Sequence, residues 1–275
     1  MAATGGIGEI DARHVGAGFD AAAGVYDELL ERNRQGAERL VASLPPGPFP
    51  RVLDVGCGTG FASIAMARLR GAREIVGVDL SQEMLARFRE KVGSLQGVTA
   101  TAVRADVLGM PVPEGGVDAV VSAMAFHWFP DKPAAVRAMA AALRPGGVLG
   151  LLAAGRGTER EFRTVLAGIE PPVPPGLVEA FDRVQRDQDE MTALLADAGL
   201  EPLDVWTETR RRQMDPDRFL ERVRAVSGHL TGGMAADERE ELGRRIARAL
   251  HEASGPGGFS YTFVKLFAVA RRPPS

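Results

Sequence analysis

Cysteine is nearly missing from this chain: the only one among 275 residues is Cys57. No disulfide can form within one chain, and a Cys/His zinc site is not expected; no other metal site is expected either. Cys57 lies inside a glycine-rich loop, where it reads as a small residue filling the loop rather than as a nucleophile. Long apolar runs are also missing, since no stretch approaches the ~20 residues that span a bilayer. No excess of one charge is present. Lys+Arg number 33 and Asp+Glu 36, a formal net charge of −3, so nothing pulls the chain towards nucleic acid or an anionic membrane. The opening MAATGGIGEIDARH has neither a basic start nor an apolar core, so no signal peptide is expected and the expected location is cytoplasmic. Internal repeats and long low-complexity tracts are absent. The remaining composition, 45% hydrophobic and 25% charged, is that of a globular protein.

Glycine in particular places is what the chain does have. Val52 to Gly60 reads VLDVGCGTG, a buried strand running into a glycine loop that feeds a helix over 61–69. Val76 to Ser81, VGVDLS, is a second apolar strand ending in an acid, Asp79. Gly56, Gly58 and Gly60 stand where backbone approaches a ligand too closely for a Cβ. Asp79, at the tip of the next strand, is placed to accept both hydroxyls of a ribose. A dinucleotide fingerprint wants a small residue at the position of Phe61, so a nicotinamide oxidoreductase is the weaker reading. Asp54, two residues before Gly56, suits an ammonium group, as an amino-acid tail would require.

Apolar period and punctuation give an alternation of strands and helices. A helix over 26–43 stops at Pro45-Pro46-Gly47-Pro48. Strands follow near 51–55, 74–78, 99–104, 117–122 and 148–153, with helices near 61–69, 82–92 and 133–143. Ser81 is the expected N-cap of the second of these, which buries Met84, Leu85, Phe88 and Val92; Asp131 opens the third. Beyond Gly155 come two short helical segments around a proline-rich piece, then a helix near 189–198. Further strands are expected at 202–208 and 261–270, enclosing a helical insert over 216–250. Repeated βα units imply an α/β fold: a Rossmann-like, seven-stranded, mostly parallel sheet with helices on both faces. The expected division of the single domain is an N-terminal helical lid (1–46), a cofactor-binding core (47–155) and a C-terminal part (156–275) whose insert covers the substrate.

The run from Val52 to Gly60 resembles motif I of the class I S-adenosylmethionine (SAM) methyltransferases. Ala105-Asp106-Val107 after the third strand, Val117 to Ser122, and the Leu143-Arg144-Pro145-Gly146-Gly147 turn extend the likeness over 51–153 in the family's order. Phe19-Asp20, Ala23 and Tyr26-Asp27 resemble the FDxxAxxYD opening of the small-molecule branch, shared with malonyl methyl ester synthases, trans-aconitate methyltransferases and quinone methyltransferases. The resemblance implies a SAM cofactor, with S-adenosylhomocysteine as product. It assigns cofactor contacts to Asp54, Gly56, Cys57, Gly58, Gly60, Asp79, Leu80, Met84, Ala105, Asp106, Val107 and Ala123. Leu80 and Met84 would cover adenine, and Asp106 would accept from its amine or else cap a turn.

The implied reaction is direct SN2 methyl transfer to a small-molecule acceptor, on a carboxylate, a hydroxyl or an acidic carbon. Phe19, Tyr26, Phe126, His127 and Trp128 would line the acceptor side, although Phe19 and Tyr26 also fit plain core packing. His127 is either a general base or a structural histidine in an aromatic turn. The Asn/Asp-Pro-Pro-aromatic motif of amide and adenine N-methyltransferases is missing after the fourth strand, which disfavours DNA as a substrate. Arg210-Arg211-Arg212 reads as a solvated charge run after the sixth strand, or as a clamp for an anion. A SAM-binding cyclase or binding module that does not methylate is the alternative on the same fold. The acceptor's identity and the oligomeric state are not legible.

Overall fold

The computed structural model describes residues 11–24, 26–29, 31–111 and 115–274. Most of the opening segment read for a signal peptide therefore lies outside the described residues. Three helices come first, α1 (Ala12–Ala22), α2 (Tyr26–Leu29) and α3 (Glu31–Ser43). The expected single helix over 26–43 is thus described in two pieces. The alternation then runs β1 (Arg51–Val55), α4 (Phe61–Arg70), β2 (Glu74–Asp79), α5 (Gln82–Gly93), β3 (Thr99–Arg104), β4 (Val117–Ala123), α6 (Lys132–Ala142) and β5 (Leu143–Ala154). Helices α7 (Arg160–Ala167), α8 (Leu177–Val184) and α9 (Gln188–Asp197) lead to β6 (Glu201–Met214). Finally α10 (Pro216–Ser227) and α11 (Ala236–Glu252) separate β6 from β7 (Phe259–Arg271).

The seven strands form one sheet in the order β3-β2-β1-β4-β5-β7-β6. β7 alone runs antiparallel to its neighbours, against both β5 and β6. The chain steps from β1 outward to β2 on one side, whereas β4 returns to its other side, pairing Leu53 with Val120. That reversal leaves a crevice beyond the strand C-termini, the usual ligand position of such sheets. β4 is buried along nearly its whole length, as expected of a strand covered on both faces. Helices α6 and α9 cover one face through Val136, Met139, Met191 and Leu195. The other face meets α3, α4 and α5 through Val41, Met66 and Phe88.

Local signals account for the helix ends. Ser81 caps α5, its Oγ accepting from the Met84 N–H at 3.1 Å, and Asp131 caps α6 through the Ala134 N–H at 2.9 Å. The Arg144-Pro145-Gly146-Gly147 turn sits at the opposite end of the sheet from the crevice. There Arg144 Nε donates to buried Asp118 at 2.7 Å. A Cβ on Gly147 would lie 2.8 Å from the Arg144 carbonyl. This part of the resemblance is scaffold.

A separate apolar core forms a cap over the crevice. It joins Phe162 and Phe181 of α7 and α8 to Phe219 and Leu220 of α10, Leu242 of α11, and Phe259 and Tyr261 of β7, with Val15 of α1. The cover therefore draws on the segment before β6 as well as on the insert between the last two strands. β6 is longer than expected and takes in Arg210, Arg211 and Arg212, which pair with Phe263, Thr262 and Tyr261. Arg210 and Arg211 point to solvent on the sheet's edge. Among the described residues no helix is long and apolar enough to cross a membrane, and no group of His, Cys, Asp and Glu could hold a metal.

Candidate functional site

The glycine loop after β1 turns because Gly56, Gly58 and Gly60 all have positive φ, at 67°, 50° and 96°. The Gly56 and Cys57 N–H groups donate to the Val78 carbonyl at 2.8 and 3.0 Å, which binds the loop to the end of β2. A Cβ on Gly56 would lie 2.3 Å from that of Ala125, so the loops after β1 and β4 touch there. Gly60 serves a different purpose from the one expected. Its missing Cβ would meet Val92 at 2.5 Å and Phe88 at 3.2 Å, so it seats α4 on α5 instead of lining the crevice. Burial raises the Cys57 thiol well above its ordinary value, which leaves it a loop filler.

Between this loop and the cap lies a cleft of ≈ 960 Å³, counting the space at its open mouth, at the upper end of ligand pockets. Asp54, Gly56, Cys57 and Gly58 form its floor; Asp79, Leu80 and Met84 form one wall. Ala105, Asp106, Val107 and Ala123 complete the predicted set there. Asp54 is buried, and its Oδ2 accepts from the Ser63 N–H (3.1 Å) and hydroxyl (2.7 Å). Its Oδ1 is buried without a partner. Desolvation pushes Asp54 up to about 7, against the two Ser63 bonds, with Asp79 adding to the rise. Asp79 accepts from the Gly58 N–H and the Ser81 N–H, both at 2.9 Å, and burial raises its pKa too. Asp106 accepts from the Leu108 N–H at 2.9 Å, so one oxygen does cap a turn while the residue still faces the cleft.

The N-terminal helices cover the cleft and are tied down by the two acids of the opening motif. Asp20 Oδ1 accepts from the Ser81 hydroxyl at 2.5 Å and from the Glu83 N–H at 3.1 Å. Asp27 accepts from Thr59 Oγ1 and Lys91 Nζ, each at 2.6 Å, joining the lid to the glycine loop and α5 at once. Asp27 and Lys91 are half-exposed, so their pair contributes up to about 1 kcal/mol. Asp27→Ala should therefore speed release of a cleft-bound ligand by up to about fivefold, read by stopped-flow dissociation. An unchanged rate would mean that the latch does not restrain the lid.

Across a shared wall, the cleft adjoins a second, inner-facing space of ≈ 590 Å³ bounded by the aromatic turn and the cap. Phe19, Tyr26, Asn33, Met124 and Trp128 line both. His127 lines only the inner space, and Phe126 lines neither, being wholly buried in the core beneath. The aromatic turn splits this way because Phe126 packs edge-on against Phe129 while Trp128 meets the cap histidine His229 at 4.4 Å. Burial, with Lys132 and His229 nearby, pushes His127 down to about 3, and its Nδ1 lies 3.5 Å from the Ala154 N–H. An imidazole this acidic is a poor base near neutrality, so the structural role is the one its surroundings support. Tyr26 moves oppositely, to about 12: burial raises it against the hydrogen bond with Asn33, and the charges of Asp79 and Asp27 add to the rise.

Several site features carry no sequence signal. Met124 has φ 61°, a left-handed conformation rare outside glycine, at the end of β4 and facing both spaces. Thr59, Asn33, Phe129 and Pro130 also line the cleft. Only the positions of Thr59, inside the loop, and of Phe129-Pro130, beside the aromatic turn, hint at it. His229 belongs to the cap, buried with its Nε2 unpartnered among the described residues, whereas His251 meets Asp217 at the surface.

A SAM molecule suits this cleft on the structure's own terms, because the orphaned Asp54 Oδ1 is the acceptor that an ammonium group needs. Residues 52–147 match the family described as "Methyltransferase domain". The malonyl-(acyl-carrier protein) O-methyltransferase of Halorhodospira halophila is 35% identical over 162 residues, 58% of this chain and 54% of that protein. The match thus spans about half of that relative's length. The protein of the same name from Magnetococcus marinus is 30% identical over 258 residues, 90% of this chain and 84% of the relative. A Bacillus halodurans protein provisionally described as a methyltransferase shares the fold, with TM-score 0.59, 18% identity, and coverage of 87% of this chain and 99% of that one. Sequence likeness along nearly the whole chain joins a cleft suited to the cofactor: the chain belongs to the class I S-adenosylmethionine-dependent methyltransferases.

Proposed function

We propose that the chain is an O-methyltransferase that esterifies the carboxylate of a small acid, with a malonyl thioester as its acceptor. The observation that carries this reading is the pair of opposed shifts in the acceptor pocket. His127 at about 3 is too weak a base, and Tyr26 at about 12 keeps its proton. A hydroxyl or a carbon acid would need a proton removed there, whereas a carboxylate arrives already ionised. The activity for which the Halorhodospira and Magnetococcus relatives are named agrees with this chemistry.

Bound SAM supplies a methyl group made electrophilic by its sulfonium. Asp54 would pair with the ammonium group, Asp79 would accept from the ribose hydroxyls, Asp106 would accept from the adenine amine, and Leu80 and Met84 would cover the ring, all of them lining the cleft. Phe19, Tyr26 and Trp128 exclude water and set the acceptor in line. SAM held there would supply its methyl to the carboxylate oxygen, the sulfur leaving as a neutral thioether with the electron pair of the broken S–C bond. No proton moves, so holding the reactants ~3–3.5 Å apart in line provides most of the acceleration.

Incubation with SAM and malonyl-N-acetylcysteamine should yield the methyl ester and S-adenosylhomocysteine in equal amounts by mass spectrometry. An acid recovered unchanged or rearranged, with SAM intact, would contradict methyl transfer. The rate at saturating SAM should be flat from roughly pH 6 to 9, and His127→Asn should lower kcat less than about tenfold. A rate rising with a single pKa in that window, together with a loss of 10²–10⁴ in the variant, would restore His127 as a base.

A further inference from the structure

We propose that Arg222 and Glu159 build an anion seat at the far side of the inner pocket, where the Arg222 Nε–H receives the acceptor's carboxylate. The inference rests on the methyl-transfer reading and names the group that recognises the acid. Arg222 comes from α10 and reaches the pocket with its side chain only 8% exposed. Its Nη2 donates to Glu159 Oε1 at 2.5 Å, and its guanidinium lies 4.9 Å from the Phe219 ring and 5.2 Å from that of Tyr261. The rings and Glu159 fix the fork, yet among the described residues the Nε–H has no partner. A buried donor without an acceptor costs roughly 1–3 kcal/mol, and a structure keeps one where something else fills it.

Glu159 is held just as deliberately. Its backbone takes a left-handed conformation, φ 58° and ψ 30°, with its N–H on the Thr262 carbonyl at 2.7 Å. The turn before it is fastened by Gln185, which accepts from Gly157 and donates to the Thr158 carbonyl, each at 2.9 Å. Strain of this kind persists only where the surroundings over-determine it. Here it holds a buried carboxylate in the lining of the space that Tyr26 and His127 also line.

The pair has a chemical logic for esterification. The acid entering is an anion and the ester leaving is neutral, so an arginine prefers the reactant to the product. Glu159 keeps the empty pocket electrically balanced and moderates the grip on the acid. If the pair only braced the cap, exchanging it for two apolar residues would leave acceptor binding intact, because a buried ion pair is often replaced by apolar side chains without loss of stability.

Calorimetry on the S-adenosylhomocysteine complex decides the matter, with malonyl-N-acetylcysteamine and its methyl ester as probes. Wild type should bind the acid at least about tenfold more tightly than the ester. The double variant Arg222→Met/Glu159→Leu should lose about 10- to 100-fold in acid affinity, keep its S-adenosylhomocysteine affinity, and bind acid and ester alike. Glu159→Gln preserves shape but removes the opposing charge, so it should tighten acid binding several-fold, a gain that a brace does not predict. Equal binding of acid and ester by wild type, or undiminished acid binding by the double variant, overturns the seat. Should the double variant fail to fold, weaker acid binding in Glu159→Gln would do the same. Arg222-dependent binding with no ester formed from SAM would instead sink the methyl-transfer reading and leave the seat standing.

Discussion

Asp54→Asn is expected to bind SAM about 10²–10³-fold more weakly than wild type and yet to melt at a higher temperature at pH 8. The first effect follows from replacing the buried oxygen that faces the cleft with an amide, leaving the ligand's ammonium group unpaired in a desolvated site. The second follows from linkage. Burial raises Asp54 from 3.8 to about 7, so the folded protein holds this proton more firmly than the unfolded chain. The stability tied to the protonated carboxyl is present below pH 3.8 and is lost as pH rises through about 7. Asparagine has nothing to ionise, and its carbonyl still accepts from Ser63. Melting curves of the unliganded proteins should therefore converge near pH 4 and separate by pH 8. SAM affinity of the wild type should also fall as pH drops below about 7, by up to tenfold per unit. Equal melting temperatures at pH 8 would mean that Asp54 is already paired, and a pH-independent SAM affinity would remove it from the ammonium site.

Phe219→Ala is expected to cost about 3–5 kcal/mol of folding stability, which lowers Tm by on the order of 10 °C in a chain of this size. Phe219 is fully buried at the centre of the cap, with the rings of Phe162, Phe259 and Tyr261 at 5.3, 4.8 and 4.9 Å. These rings come from α7 and β7, so truncation opens a void that no single element can close. Its ring also supports the Arg222 guanidinium, so acceptor binding should weaken along with the cap. Denaturant unfolding followed by circular dichroism measures the cost. A loss below about 1 kcal/mol would show that the cap collapses readily around the gap.

The sheet and the cofactor cleft were largely legible from sequence because their signals are local. A strand, a turn and a cap lie within ten residues of one another from Val52 to Phe61, and Ser81 stands directly before the helix it caps. The same holds for Asp79, whose two amide donors, Gly58 and Ser81, belong to the motifs beside it. What escaped was set by contacts distant along the chain. The Asp27 latch reaches 32 residues to Thr59 and 64 to Lys91, and Glu159 meets Arg222 across 63. No periodicity encodes such pairs. Gly60 misled for a related reason: a glycine that admits a ligand and one that admits a helix read alike in sequence, and only Phe88 and Val92 tell them apart. For His127 the residue type left a base and a structural histidine both open, and only its burial, which lowers the imidazole to about 3, favours the second.

One strand, β7, belongs to two cores. Phe259 and Tyr261 lie in the cap, while Leu266, Ala268 and Ala270 of the same strand lie in the sheet core. It also shields β5 along its whole apolar stretch, from Val148↔Arg271 to Ala154↔Lys265. The segment that matches the methyltransferase-domain family ends at Gly147, just as β5 begins its buried run. Extended only through β5, that segment would display Leu149 and Leu151 on an open edge, a template for pairing with any passing chain. The matched segment is therefore not a separable module: the edge of the strand that follows it is covered by residues more than a hundred positions downstream, as in the Ala154–Lys265 pairing.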